Sequence, residues 1–162
     1  MIGLNFQALA KVDRVGLVAA AIALISLFLP WYGVSNGIYG ASVSGWGSGY
    51  GLLGGLLVVA AGVYRLLQRA GIHVPGQPLS PAFVVLAASV LGTLLVALRW
   101  ITMPSRHFGF NGVTALSYGP RLGIWIALLA GAVEAGAMVV LFKDSGEKMP
   151  WAQAAAEERP QP

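Results

Sequence analysis

A chain of 162 residues that is 57% hydrophobic and only 10% charged is not an ordinary soluble domain, where about a quarter of residues carry charge. Its mean hydropathy of +0.74 and the gathering of its apolar residues into long runs describe a polytopic membrane protein. The net charge of +4 does not argue for nucleic acid, because the basic residues flank apolar runs, where orientation and anionic lipid account for them.

Residues 1–14 read as a cytoplasmic tail ending in Lys11, Asp13 and Arg14. A transmembrane domain over 15–142 follows, with helices expected at about 15–30, 50–67, 82–103 and 121–142. The first run, Val15 to Leu29, covers only roughly 22 Å against a hydrocarbon core near 30 Å. Val12, Trp31 and Tyr32 are expected to lengthen it into the interfaces. A signal peptide is the rival reading, but no A-x-A site follows and aromatics stand where small residues would be needed. Gly33 to Gly49 forms a charge-free loop holding Tyr39 and Trp46. The second helix opens with Gly51-x-x-x-Gly55, and a connection with Pro75, Pro78 and Pro81 follows it. The third helix carries Ala88-x-x-x-Gly92 and, near its far end, Arg99. A second polar loop, 104–120, leads to the fourth helix. The tail 143–162 is expected to fray or to lie on the interface around Trp151.

Lys11, Arg14, Arg65, Arg69, Lys143, Lys148 and Arg159 fall on one side of this arrangement, and Arg99, Arg106 and Arg121 on the other. That imbalance places both termini in the cytoplasm and the protein in the cell (inner) membrane. The outer side also carries the heavier aromatic belt, including Trp31, Trp46, Trp100 and Trp125.

The two outer loops read alike. Pro30, Asn36-Gly37-Ile38, Ser44-Gly45-Trp46 and Gly51 have counterparts in Pro104, Asn111-Gly112-Val113, Ser117-Tyr118-Gly119 and Gly123. This order suggests a duplicated helical hairpin, with chance in a Gly-rich chain as the alternative. Asn-Gly is a strong type I′ hairpin signal, so a small β-structured or tightly turned cap is predicted on the outer face. The fold class is therefore an all-α, four-helix transmembrane bundle with such a cap.

The fourth helix carries Gly123, Ala127, Gly131 and Ala135 at four-residue intervals, with one acid, Glu134, within about 60° of the first three. Small residues in that repeat admit a neighbouring helix, so this face, like Gly51/Gly55 and Ala88/Gly92, is expected to point into the bundle. A buried ionised carboxylate is costly, so Glu134 is expected to be protonated, hydrogen-bonded, or beside a cation or water. Ser89 and Thr93 reach a similar depth, and either hydroxyl is a candidate donor. Arg99 lies about 15 Å nearer the outer surface, so no ion pair is expected. The candidate intramembrane polar site is thus Glu134, Ser89 and Thr93, read either as a proton- or cation-binding group or as a neutral helix bridge.

Gly49-Tyr50-Gly51-Leu52-Leu53-Gly54 spells a dinucleotide fingerprint, but no strand, βαβ unit or later acid accompanies it, and helix packing explains these glycines. The absence of cysteine excludes disulfides and thiolate chemistry. His73 and His107 lie in opposite loops, so neither a metal site nor a cofactor is expected. No hydrolase, protease or phosphate-loop motif is present, and catalysis is not expected.

Leu29-Pro30-Trp31-Tyr32, Ser44-Gly45-Trp46, and Tyr118-Gly119 with Leu122-Gly123-Ile124-Trp125 resemble small, uncharacterised four-helix membrane proteins of high-GC bacteria. That resemblance implies a four-span bundle and no assigned activity. The plan, with its larger first outer loop, is similar to that of claudin-like tetraspan proteins. The sequence thus points to an accessory, assembly or interaction protein, its partners the lipid bilayer, itself or another membrane protein, and no nucleic acid. A small transporter or sensor using Glu134 is the alternative.

Overall fold

The computed structural model describes residues 10–36, 39–72, 79–110 and 113–146, without the side chains of 106–116. These residues form four helices, α1 (Lys11–Ser26), α2 (Tyr50–Arg69), α3 (Pro81–Thr102) and α4 (Leu122–Asp144). Four strands join them: β1 (Pro30–Ser35), β2 (Gly40–Ser44), β3 (Arg106–Phe110) and β4 (Val113–Pro120). The chain is mostly helical, and α2, α3 and α4 are long and apolar enough to cross a membrane. At 16 residues, α1 is shorter.

The strands make one antiparallel sheet in the order β2-β1-β4-β3. Because β1 pairs with β4, both interhelical hairpins lie at the same end of the molecule, and the helices alternate in direction. Each helix packs chiefly on its neighbours in the ring α1-α2-α3-α4, which closes through α1 on α4. The expected cap is therefore present as a sheet. It lacks the symmetry of a duplicated hairpin, however: β1 is central, while its counterpart in the repeat, β3, is an edge.

Turn chemistry separates the two hairpins further. Phe110 pairs with Val113, leaving Asn111-Gly112 as the two connecting residues, as the type I′ signal expects. In the first hairpin Asn36 donates its backbone N–H to Tyr39 O (3.0 Å), and its side chain accepts from the Tyr39 N–H (2.6 Å). Asn36 is thus the last paired residue, and Gly37-Ile38 make the connection, one residue later than predicted. The conformations of both turns lie outside the described residues.

The first helix ends earlier than the apolar run suggests, and Pro30 is the reason. A continued α-helix would have residue 30 donate to the Ser26 carbonyl, and proline has no N–H. The Trp31 indole N–H (2.7 Å) and the Leu29 backbone N–H (3.1 Å) take that carbonyl instead, while Ser26 Oγ donates to Ala23 O (2.6 Å). Residues Leu27 to Leu29 tighten into i→i+3 turns. The chain then enters β1 through a bulge at Trp31, between the pairs Pro30–Ser44 and Tyr32–Val43. A bulge re-aims a side chain, and here the ring turns inward.

Trp31 is fully buried with Leu27, Val96, Met103, Ile124 and Ala127, not in the interfacial belt where the sequence suggested it. Glycines on three elements make its space. A β-carbon on Gly45 would lie 2.8 Å from the ring, on Gly51 3.0 Å, and on Gly123 2.7 Å. The belt is real elsewhere at this end: Phe28 meets Trp46 and Trp100 meets Trp125 edge-on, with centroids 5.5 and 4.9 Å apart.

The remaining small residues close the helix contacts. Gly54 and Gly92 bring α2 and α3 together so tightly that a β-carbon on either would lie 2.7 Å from the other's carbonyl oxygen. Gly55 receives Leu27, and Gly131 receives Thr93. Gly49, at φ 65°, leads into α2, so the fingerprint glycines are accounted for by a turn and by packing. Ala127 is buried, whereas Ala88 and Ala135 are only half-buried. A four-residue step overshoots a helical turn by about 40°, so three steps from Gly123 carry Ala135 roughly 120° off the inward face.

Truncating the hub tests this account. Trp31→Ala is expected to lower stability by about 3–5 kcal/mol, read as a fall in the thermal midpoint of the detergent-purified protein by circular dichroism. A variant melting with wild type would remove Trp31 from its central place.

Candidate functional site

The inward face of α4 runs through Gly123, Ala127, Ala130, Glu134, Ala137 and Met138, all buried. Small residues of α1 and α2 lie beside Glu134. Gly62 on α2 is placed so that its β-carbon would lie 3.4 Å from Glu134 Oε1, and it also abuts Ala20 of α1. One turn along, Gly16 packs against Ala137 and Met138. Glycine at 62 on α2 and alanine at 20 on α1 leave room for a carboxyl group between the helices.

Glu134 is fully buried, and among the described residues neither carboxyl oxygen has a hydrogen-bond partner. Ser89 is buried on α3, and Thr93 lies against Gly131, one helical turn from Glu134. Their hydroxyls are committed elsewhere. Ser89 Oγ donates to Leu86 O (3.0 Å) and Thr93 Oγ1 to Ser89 O (2.8 Å). In an apolar surround a hydroxyl satisfies itself on the preceding turn of its own helix, so the structure places the three residues in one layer without bonding them. Arg99 is remote. It lies over the Tyr50 ring, 5.5 Å from the centroid. Its neighbour Trp100 meets Trp125, nine residues and so about 13 Å along α4 from Glu134.

A second polar group lies toward the end opposite the sheet, and the sequence reading missed it. Asp13 is buried, with Oδ1 accepting from Arg65 Nε (3.0 Å) and Oδ2 from Arg69 Nη2. Arg65 also donates to Gln68 Oε1 (3.1 Å). Two signals were available. Asp13 continues the small, buried stripe Gly16, Ala20 and Ala23 of α1, and Arg65 and Arg69 are spaced i,i+4, so both reach one partner. The tail assigned to residues 1–14 therefore contains the first turn of α1.

Arg65 stands three residues from Gly62, about 4.5 Å along α2. Glu134, Arg65, Asp13 and Arg69 thus form a column running from mid-bundle to the end. Beside it, Arg65, Val85, Met138 and Phe142 help line a cavity of about 10 Å³, at the threshold for a single water. The column contains a lone carboxyl group, an ion cluster and no nucleophile–base pair. What the arrangement shows is a buried carboxyl group between helices and an ion cluster that locks α1 to α2.

Asp13→Asn should leave two arginines without a counter-ion and cost about 2 kcal/mol in chemical denaturation. The arginine side chains are 18% and 42% exposed for Arg65 and Arg69. Water compensates the second better, so Arg65→Gln is expected to destabilise more than Arg69→Gln. The reverse order would contradict this reading.

No known protein family, curated protein or solved structure matches this chain. No residue role is therefore carried over from another protein, and the functional reading rests on the geometry above.

Proposed function

We propose that the protein is a four-span integral membrane protein of accessory or assembly type, without catalytic activity, its termini in the cytoplasm and its sheet on the outer face. One observation carries the reading: the molecule spends its small residues on internal contacts and presents an edge strand without charge, Gly40–Ser44, at one end. Gly51, Gly54, Gly55, Gly62, Gly92, Gly123 and Gly131 all face neighbours within the same chain. The helix exteriors keep Val18, Ile25, Leu53, Leu94, Ile101 and Leu129 exposed, which suits acyl chains.

Four spans require α1 to cross as well. Counting its i→i+3 extension to Leu29, nineteen residues from Lys11 cover about 28 Å. On the sheet, β2 (Gly40–Ser44) is an edge strand exposed over Gly40–Val43, with exposed Tyr39 just before it. An uncharged edge is a template for pairing with another chain, so this strand is the contact through which the protein docks on a membrane partner. A tagged chain, extracted in mild detergent, should recover that partner in stoichiometric amount, and Ala41→Lys should release it by charging the edge. Recovery of a lone monomer would defeat the proposal.

The unpartnered oxygens of Glu134 favour one second reading, a transporter or sensor in which this carboxyl group exchanges a proton. Glu134→Gln keeps size and hydrogen-bonding capacity but cannot titrate. Under the accessory reading the variant inserts, folds and supports partner recovery as wild type does. Loss of a pH-dependent flux in reconstituted vesicles would favour the transporter instead.

A further inference from the structure

We propose that the partner strand docking on β2 carries a glutamate, and that Arg121 receives its carboxylate in a pocket between that edge and the start of α4. This rests on the reading of β2 as the docking edge and names the chemistry of its partner, an extended segment with an acidic side chain.

Arg121 precedes α4, held by its backbone N–H on the Trp31 carbonyl (2.9 Å). Its side chain lies back across β1. A β-carbon on Gly33 would stand 2.5 Å from Arg121 Nε and 3.2 Å from Cγ, so glycine at 33 is what lets the side chain rest on the strand. The register sets Gly33 opposite Ser42 and Gly119, and Ser35 opposite Gly40 and Ser117. Directly opposed residues share a face, so Arg121 lies on a face made of serine and glycine. That face is open. A β-carbon on Gly119 would meet nothing, and one on Gly40 only the Val34 carbonyl oxygen at 3.4 Å. There Arg121, β1 and Gly40, Ala41 and Ser42 of β2 line a pocket of about 310 Å³.

Charge selects what fills the pocket. The Arg121 guanidinium is exposed and makes no ion pair among the described residues. The whole chain has six acids, and none stands between Asp13 and Glu134 in sequence. Asp13 is held by Arg65 and Arg69 toward the opposite end. Glu134 is about 20 Å along α4 from Arg121, and Asp144 about 34 Å. Glu147 follows Asp144 by at most about 11 Å of chain, and Glu157 and Glu158 fall on the cytoplasmic side under the four-span reading. A carboxylate for Arg121 therefore has to come from another molecule.

The strand edge decides what kind of molecule. An open edge offers unpaired N–H and C=O groups, which a second main chain satisfies and a phosphate does not. A strand added to β2 lies two spacings, about 10 Å, from Gly33. A glutamate on the shared face and the Arg121 guanidinium together span that gap with a charge-assisted bond of about 2.8 Å. Gly40 and Ser42, the residues of β2 between them, are small enough to leave the way clear.

The test uses the full chain in mild detergent and a blocked, dye-labelled peptide, Thr-Val-Glu-Val-Thr, matching the five residues of β2. Binding is read by fluorescence anisotropy beside the counterparts with Gln or Lys at the centre. Wild type should bind the Glu peptide about fivefold more tightly than the Gln peptide, and the preference should shrink as salt is raised. Arg121→Gln should bring the two level, and Arg121→Glu should favour the Lys peptide, with the melting midpoint unchanged in both. Ser42→Tyr, in the path between edge and guanidinium, should also remove the preference. A preference that survives Arg121→Gln or Ser42→Tyr would overturn the site. Equal binding of the Glu and Gln peptides by wild type defeats the carboxylate and leaves the docking edge, whereas binding of neither defeats the docking edge as well. Native mass spectrometry with dioleoyl phosphatidylglycerol and dioleoyl phosphatidylcholine covers the other anion: retention of the first over the second, lost in Arg121→Gln, would assign the arginine to a lipid phosphate and overturn the proposal.

Discussion

The bond between the Trp31 indole and the Ser26 carbonyl governs the geometry of the sheet end. It exists because Pro30 has no N–H to offer that carbonyl, and because a buried tryptophan needs an acceptor for its own N–H. The same proline stops the helix from continuing. The ring must also fit inside the bundle, which demands glycine at 45, 51 and 123. The Trp31 carbonyl in turn accepts the backbone N–H of Arg121 (2.9 Å), fixing the entry to α4. One side chain and its peptide group thereby tie the end of α1, the start of β1 and the entry to α4, with the start of α2 packed against the ring.

The two ends of the molecule are secured by different forces. At the sheet end an aromatic is enclosed by backbone, a matter of dispersion and shape, which remain strong where water is absent. At the far end Asp13 joins α1 to α2 through two guanidinium groups, one of them partly exposed, an arrangement suited to an interface more than to a hydrocarbon interior. Glu134 lies between these locks, in a space that exists because Ala20 and Gly62 have so little to put there. Within lipid, close packing and buried polar contacts must supply what the hydrophobic effect supplies in water. This explains why so many of the glycines are used on internal contacts and why the exterior is left aliphatic.

Several features were readable from residue order, and the misreadings have physical causes. Gly51, Gly55, Gly92, Gly123 and Gly131 were legible as contact points, since a missing β-carbon on an apolar helix has few other uses. Ala135 was misread because a four-residue spacing drifts around the helix. Ser89 and Thr93 were offered as donors to Glu134, but a hydroxyl finds its nearest acceptor one turn back on its own backbone, and periodicity does not reveal that competition. Trp31 was assigned to the interface because tryptophan is amphipathic, and only the glycines converging on it make burial possible. Asp13 was read as part of a tail because its partners lie 52 and 56 positions away.

Composition and hydropathy alone determined that this is a chain of long apolar helices with polar turns and one deeply placed acid. Those properties follow from local transfer energies and from the 3.6-residue period, which each segment carries within itself. Tertiary structure alone decided that β1 pairs with β4 to close one sheet, that Trp31 is enclosed by three separate elements, and that Asp13 meets Arg65 and Arg69. Each of those depends on residues distant in the chain being brought together, and no local preference encodes which of the possible partners arrives.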